Sequence, residues 1–237
     1  MEIKVINNTQ DLECEILVVN KFENLNTTSE LANKYAIEED KFEGKLGETY
    51  LLPTYNQEKH KKIIIIGFGK KEEFTPNKLR EAIAKAIKKA MSIKAKTVAF
   101  KLDGIEFDYS EQFTMGVKIA NYKFDKYKSE KKEGVNTIYV EANELVVRKA
   151  EKIADAMAFT RNLANEPAQF ATPSELASIA FDLGLETKIY EKDECEKMGM
   201  GAFLAVGRGS SQEPKFIHMK YTCENPKKKI ALVGKGI

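Results

Sequence analysis

The stretch KKIIIIGFG, Lys61–Gly69, decides the fold class. Side chains along a β-strand alternate between its two faces, so the four consecutive isoleucines Ile63–Ile66 place apolar groups on both faces. Such a run is typical of a central strand that is covered on both sides, as in the parallel sheets of α/β proteins. The stretch therefore predicts a buried strand inside a layered α/β domain.

The residues around this strand predict the covering helices and the neighbouring strands. Thr75 can cap a helix whose first turn contains Pro76. The apolar residues that follow have the i, i+3, i+4, i+7 spacing of an amphipathic helix: Leu79, Ala82, Ile83, Ala86, Ile87, Ala90 and Met91. Asp108 and Glu111 have the spacing of a capping box, and the helix that follows is expected to bury Phe113, Val117, Ala120 and Phe124. Short β-branched runs predict further strands: MEIKVI, CEILVVN, ETYLLPT, KTVAFKL and NTIYVEA. This strand–helix order predicts a largely parallel sheet between helical layers.

The alternation of short strands and helices stops after residue 142, and this change predicts the domain organisation. The next helix runs for about six turns, which is long for a compact α/β unit, and Pro167 ends it. Its predicted buried stripe is Val146, Ala150, Ile153 and Met157. We expect an α/β domain at residues 1–142, a connecting helix at 143–166 and the start of a second α/β domain at 167–237.

The second domain begins with clear helix signals. Thr172 and Pro173 predict a capped helix start, and Gly184 predicts its end. Strands are expected at Leu185–Tyr190 and in the runs KFIHMKY and KIALVG. The strand pattern places His218 in the core as a hydrogen-bonded residue, because buried polar groups are usually paired.

Composition excludes several classes of function. The 237 residues contain 38 Lys and Arg against 36 Asp and Glu, a net charge of +2, which provides no strong field for nucleic acid or anionic lipid. The three cysteines form no C-x-x-C pair, which favours a reducing compartment. Neither a signal peptide nor an apolar run of ~18 residues is present. We expect a soluble cytoplasmic protein without nucleic-acid or membrane partners.

Standard catalytic motifs do not match. A dinucleotide fingerprint that began at Gly67 would need a third glycine where Glu72 stands. A phosphate loop around the final Gly-Lys would need a glycine at Lys229 and a hydroxyl residue at Gly236. No cluster of His and Cys ligands is present either. From the residues alone, the chain is a two-domain α/β protein whose function stays open.

Three stretches, taken together, resemble the leucyl aminopeptidase (cytosol aminopeptidase) family. RNLANEPAQFATP, Arg161–Pro173, resembles the family pattern R-[DN]-L-x-N-x-P-x-N-x-x-T-P, with Gln169 where the family usually has Asn. MGMGAFLAVGRGS, Met198–Ser210, resembles G-M-G-x-x-x-x-V-x-x-G-S. IALVGKGI, Ile230–Ile237, resembles the strand and loop that lead into T-F-D-[ST]-G-G. The motifs cover residues 161–237, whereas the first 140 residues match by general α/β character.

The resemblance implies a metallopeptidase that removes N-terminal amino acids from peptides with two divalent ions, zinc or manganese. It implies that Lys235 is a metal ligand, supported in its loop by Gly234 and Gly236. A lysine can ligate a metal only when it is deprotonated, and burial and nearby cations favour that state. The resemblance further implies a homohexamer and an N-terminal half that ends just before the other metal ligands. We therefore expect no catalytic residue within the chain, no stably bound metal and no peptidase activity of the chain alone.

Two alternatives remain open at this point. The family's N-terminal domain is similar in fold to the macro domains that bind ADP-ribose, so residues 1–142 could be a ligand-binding module. Gly44 and Gly47 are the nearest candidates for a phosphate cradle, although their pattern is more typical of turns. Alternatively, the chain could be a non-catalytic assembly subunit.

Overall fold

The structure is a computed structural model in which two compact units are distinguished. Unit 1 is Met1–Asn162 and unit 2 is Leu163–Ile237. The described residues are 1–9, 12–23, 42–55, 58–131 and 133–235.

Unit 1 is built on a six-stranded sheet whose strands occur in the order β1-β6-β5-β2-β4-β3. The strands are β1 (Glu2–Val5), β2 (Cys14–Lys21), β3 (Thr49–Pro53), β4 (His60–Gly67), β5 (Thr97–Lys101) and β6 (Thr137–Val140). All neighbouring strands are parallel except β3, which lies antiparallel to β4 at one edge. The predicted α/β fold class and parallel-dominated sheet are confirmed.

The isoleucine run is buried on both faces of β4, as predicted. Ile64 and Ile66 belong to the apolar cluster that includes the first two helices, whereas Ile63 and Ile65 belong to a second cluster on the opposite face. All four are at most 1% exposed. At about 25 cal/mol per Å² of buried apolar area, this strand contributes strongly to the stability of unit 1.

Three helices follow the strands of unit 1: α1 (Pro76–Ser92), α2 (Ser110–Asn121) and α3 (Glu144–Asn165). The Oγ1 of Thr75 accepts a hydrogen bond from the N–H of Lys78 at 3.3 Å, and Pro76 is the first residue of α1. The buried residues of α1 are those of the predicted stripe, apart from Met91, which is partly buried. The helix propensity of the residues, the capped start and the buried face of α1 are therefore all consistent with the same helix.

The predicted stripe of α3 is partly wrong. Its buried residues are Val147, Ala150 and Ala154, whereas Ile153 and Met157 are 44% and 40% exposed. The predicted stripe and the buried stripe of α3 lie side by side and both contain Ala150. Periodicity alone therefore does not decide which of the two stripes faces the core.

Unit 2 is small and contains few buried residues. Its elements are α4 (Pro173–Asp182), β7 (Glu186–Tyr190), α5 (Lys192–Lys197), α6 (Gly201–Gly207) and β8 (Phe216–Lys220). The Oγ1 of Thr172 accepts a hydrogen bond from the N–H of Glu175 at 3.3 Å, and Gly184 has a φ of +71° just after α4. Strands β7 and β8 form an antiparallel two-stranded sheet.

The placement of His218 in the core is wrong. His218 lies opposite Lys188 in the sheet and is exposed. Alternation along a strand predicts two faces, but a two-stranded sheet leaves one of them in water.

Candidate functional site

The predicted metal ligand, Lys235, lies in a segment without regular secondary structure and is exposed. A Cβ placed on the preceding Gly234 would meet no atom within 4 Å, so the backbone here is surrounded by open space. Gly236, the second predicted supporting glycine, lies outside the described residues. The structure thus places the amine at the surface of unit 2.

The strand predicted in KIALVG is absent from the described residues. Ile230, Leu232 and Val233 are 81%, 93% and 97% exposed. The prediction assumed a sheet that would bury the run, but β8 pairs with β7 and the run pairs with neither strand. Without a partner strand, backbone N–H and C=O groups find hydrogen bonds in water, and β-propensity alone does not hold a strand.

A two-metal site needs more donors than the segment around Lys235 presents. Divalent ions such as zinc and manganese are held by several carboxylate, imidazole or thiolate groups. Among residues 1–9, 12–23, 42–55, 58–131 and 133–235, no three His, Cys, Asp or Glu side chains are grouped in a way that could hold a metal. One exposed amine does not by itself fit a pair of metal ions.

The segment RNLANEP, Arg161–Pro167, begins with two residues whose side chains contact Tyr122 of unit 1. The guanidinium of Arg161 lies 3.8 Å from the ring centroid of Tyr122, which is a cation–π contact. The hydroxyl of Tyr122 donates a hydrogen bond to the Oδ1 of Asn162 at 2.9 Å. The first turn of this motif therefore anchors the end of α3, a structural role that the sequence did not predict.

The motif MGMGAFLAVGRGS, Met198–Ser210, contributes to the lining of a cavity that the sequence analysis did not predict. The cavity measures ≈ 690 Å³ and lies among α5, α6 and the loop after α6. Its charged lining residues have both signs: Lys192, Glu196, Arg208 and Glu213. Two glycines line the cavity: Gly199 has a φ of +72°, and an added Cβ on Gly207 would lie 3.2 Å from the side chain of Pro214.

In the loop that contains Gly44 and Gly47, the backbone N–H groups that could bind a phosphate already donate hydrogen bonds within the protein. The carboxylate of Glu48 accepts hydrogen bonds from the N–H groups of Gly44 and Lys45 at 2.9 and 3.0 Å. The N–H of Gly47 donates to the carbonyl of Gly67 at 2.9 Å. Both Gly44 and Gly47 have positive φ, in keeping with turn residues. In the described part of this loop, these N–H groups are therefore not available to a phosphate.

Polar groups also meet beyond the carboxyl ends of β2, β5 and β6. The side chain of Asn20 exchanges two hydrogen bonds with the backbone of Asp103, and Glu141 Oε1 accepts hydrogen bonds from Thr9. Burial raises the pKa of Asp103, and burial with nearby carboxylates raises the pKa of Tyr109 to about 12. The Tyr109 hydroxyl donates to the carbonyl of Glu141. These contacts connect the segments that follow the strands.

The fold defines a protein of two α/β units. A model of the N-terminal domain of the cytosol aminopeptidase family matches residues 15–131, and a model of the catalytic domain of that family matches residues 158–237. The chain belongs to the cytosol aminopeptidase family. The resemblance seen in the three motifs is thereby confirmed.

Curated relatives and solved structures agree with this family. A probable cytosol aminopeptidase of Persephonella marina is 37% identical over 218 residues, which cover 84% of this chain and 44% of the relative. One of Aquifex aeolicus is 35% identical over 222 residues, which cover 89% of this chain and 45% of the relative. The chain thus spans about half the length of the curated relatives that it matches.

Two solved structures share the fold. A tomato leucine aminopeptidase mutant matches with a TM-score of 0.80 at 19% identity, over 97% of this chain and 52% of that chain. The bottromycin maturation enzyme BotP in complex with Mn matches with a TM-score of 0.73 at 20% identity, over 90% of this chain and 46% of that chain. At these identities the likeness concerns the fold.

No helix in the described parts of the chain is both long and apolar enough to cross a membrane.

Proposed function

We propose that the protein is a metal-dependent aminopeptidase that removes N-terminal amino acids from peptides. The observation that carries the proposal is the match of residues 158–237 to the family's catalytic domain, a range that contains all three motifs. The names of the relatives and the Mn complex of BotP are in keeping with a metallopeptidase.

Within this proposal, Lys235 donates its amine to one of two divalent ions, zinc or manganese. The flanking Gly234 and Gly236 would support this role because glycine lets the backbone turn sharply. One exposed amine does not hold two ions, so the part of this chain in the reaction is to present that donor. We propose no catalytic residue among the 237 residues and no peptidase activity of the chain by itself.

The same proposal includes the organisation of the protein. Residues 1–142 are the N-terminal domain, 143–166 the connecting helix and 167–237 the start of the catalytic domain. The helix Glu144–Asn165 supports the middle segment of this division. Cytoplasmic location and homohexameric assembly rest on the family resemblance.

A chimera tests the activity. Residues 1–237 would replace the matched part of the Persephonella marina relative, so that the rest of the relative follows Ile237. We expect this chimera to hydrolyse leucyl-p-nitroanilide with Mn²⁺ or Zn²⁺, and the 237-residue chain alone to show no hydrolysis under the same conditions.

Lysine variants of the chimera test the site. Lys235→Met should lower kcat/KM at least about a hundredfold, as expected when a metal ligand is lost. Lys228→Met, an exposed lysine of the same segment, should leave kcat/KM unchanged. An active Lys235→Met chimera with normal metal content would rule out Lys235 as a ligand, and an inactive parent chimera that binds two metals would contradict the peptidase assignment.

A further inference from the structure

The second half of α3 lies beyond the buried core of unit 1. The buried residues of this helix, which the structure describes in full, are Val147, Ala150 and Ala154, and Val147 belongs to the apolar cluster that includes α1 and α2. Ala154 lies about three turns before Asn165, the last residue of the helix. Apolar packing therefore fixes the first half of α3, whereas the direction of the second half depends on other contacts.

Lys118 of α2 makes a polar contact where the second half of α3 begins. Its Nζ lies 2.9 Å from Oδ1 of Asp155 and 3.8 Å from Oε1 of Glu151. The side chains of Lys118 and Glu151 are 15% and 16% exposed, so salt screens this pair less than it screens a surface pair. The pair therefore holds α3 to α2 just beyond Ala154.

Tyr122 directly follows α2 and contacts the end of α3 with both its ring and its hydroxyl. The guanidinium of Arg161 lies 3.8 Å from the centroid of the ring, and the hydroxyl donates a hydrogen bond to Oδ1 of Asn162 at 2.9 Å. Asn162 and Asp155 are seven residues apart and so lie on the same face of the helix. The ring contact and the hydrogen bond together form the Tyr122 clamp, whose three residues all belong to unit 1.

The backbone that carries Tyr122 is itself held in place. The Nδ2 of Asn121, the last residue of α2, donates to the carbonyl of Val135 at 3.2 Å, and its Oδ1 accepts from the N–H of Val135 at 3.1 Å. Val135 is 2% exposed and belongs to the same apolar cluster as α1 and α2. Tyr122 therefore contacts α3 from a support that is tied to the core.

We propose that Tyr122 is a positioning residue for the proposed peptidase reaction, because the Tyr122 clamp fixes the helical turn at which the motif RNLANEP begins. Residues 15–131 match the family's N-terminal domain, and residues 158–237 match its catalytic domain. Tyr122 belongs to the first range, and its partners Arg161 and Asn162 belong to the second. A side chain of the first range thus orders the start of the second. The reaction rests on the proposed function, whereas the clamp does not.

The consequence for the reaction is a dependence of KM on the clamp. Without it, the turn at Arg161 and Asn162 is ordered in only a fraction of the molecules, and the peptide binds to that fraction. The apparent dissociation constant then rises by the inverse of the fraction, whereas saturating substrate restores the ordered form. Loss of the clamp therefore raises KM and leaves kcat unchanged.

Amide exchange of residues 158–165 in the 237-residue chain, measured by mass spectrometry, tests the clamp without any activity. Tyr122→Ala should lower the protection of these amides at least about threefold, because a cation–π contact and a hydrogen bond are lost. Tyr55→Ala is the matched control, since Tyr55 is 81% exposed and lies between β3 and β4. It should change the same protection by less than about 1.5-fold.

Variants of the partners show whether Tyr122 acts through them. In a chain that carries both Arg161→Ala and Asn162→Ala, the further change Tyr122→Ala should alter protection by less than about 1.5-fold, because its partners are already gone. An equal loss of protection in both backgrounds would overturn the proposal. Unchanged protection in the single variant Tyr122→Ala would overturn it as well, and would leave the proposed function intact.

Kinetics of the chimera described above, with leucyl-p-nitroanilide and Mn²⁺, test the effect on the reaction. Tyr122→Ala should raise KM at least about threefold and change kcat by less than about 1.5-fold. Tyr122→Phe keeps the ring over Arg161 and loses the hydroxyl, so its KM should lie between those of the parent and Tyr122→Ala. Tyr55→Ala should leave both constants unchanged.

The kinetic outcomes separate positioning from a loss of folded enzyme. A lower kcat at unchanged KM indicates fewer folded molecules and overturns the proposal, as does an unchanged KM when exchange shows that the clamp is lost. An inactive parent chimera counts against the proposed function, and the exchange measurement alone then decides whether Tyr122 orders the turn.

Discussion

At the scale of single residues, Asn20 shows how one buried amide joins the end of strand β2 to the segment that follows β5. It is 1% exposed, its Nδ2 donates to the carbonyl of Asp103 at 2.9 Å, and its Oδ1 accepts from the N–H of Asp103 at 2.8 Å. Asn20→Asp replaces the donor by a carboxylate oxygen that faces a carbonyl. We expect a loss of about 2–3 kcal/mol in the free energy of unfolding, measured by urea titration.

Asn77→Asp is the control for this substitution. Asn77 is exposed on α1, and its Oδ1 accepts a hydrogen bond from Arg80, which an aspartate retains. Its effect should stay within about 0.5 kcal/mol. Equal effects of the two substitutions would show that the amide of Asn20 is not specifically required.

Cys14 predicts how stability depends on pH. It is 7% exposed, its Sγ donates to the carbonyl of Ile16, and burial raises its pKa from 9.0 to about 11. The folded thiol therefore keeps its proton at a pH where the unfolded thiol loses it. The resulting stabilisation is complete below pH 9 and is lost as the pH rises through about 11.

The measurement compares wild type with Cys14→Ala from pH 8 to pH 11.5. Wild type should lose on the order of 2 kcal/mol more than the variant over this window. The difference between the two proteins isolates Cys14 from other groups that titrate there, such as Tyr109. Parallel stability curves would contradict the buried, protonated thiol.

At the scale of elements, Gly116 controls how closely α2 packs on α1. An added Cβ would lie 2.8 Å from the carbonyl oxygen of Arg80 and 3.2 Å from the Cβ of Ile83. Alanine favours helix over glycine by about 1 kcal/mol, but here the helices would have to separate. Gly116→Ala should therefore destabilise unit 1 by about 1–3 kcal/mol, measured as the urea midpoint.

A matched substitution on the exposed face of α2 separates packing from propensity. Glu111→Ala in the first turn changes an exposed residue and should shift stability by no more than about 0.5 kcal/mol. Stabilisation by Gly116→Ala would show that propensity outweighs the contact and that α1 and α2 are not in close approach.

Elements with redundant signals could be predicted from the sequence, and those with a single signal could not. The strand β4 has a long run of apolar residues, the helix α1 combines an apolar stripe with a capped start, and both are confirmed. At the start of α2 the predicted capping box is wrong, because Asp108 accepts a hydrogen bond from the N–H of Ser110 and Tyr109 is the N-cap residue. The run KIALVG had strand propensity alone, and the described chain offers it no partner.

At the scale of the whole molecule, the candidate site was less predictable than the fold. The sequence resemblance identified the family, and that part is confirmed. The role of Lys235 stays a prediction, because a metal site needs donors brought together by tertiary structure and a motif names only one of them. The cavity in unit 2 and the contact of Arg161 with Tyr122 arise from packing, for which a linear pattern carries no signal.

The distribution of buried residues predicts that the two units differ in stability. Apart from Ala177, Ala180 and Cys195, the buried apolar residues of the described chain lie in unit 1. Since stability scales with buried apolar area, unit 2 should open at lower urea than unit 1. Hydrogen exchange along a urea series should show residues 163–235 losing protection first, with the six-stranded sheet still protected. A polypeptide of residues 1–162 should then unfold at the midpoint of the second transition. One common midpoint for both units would mean that unit 2 gains stability from contacts beyond its own small core.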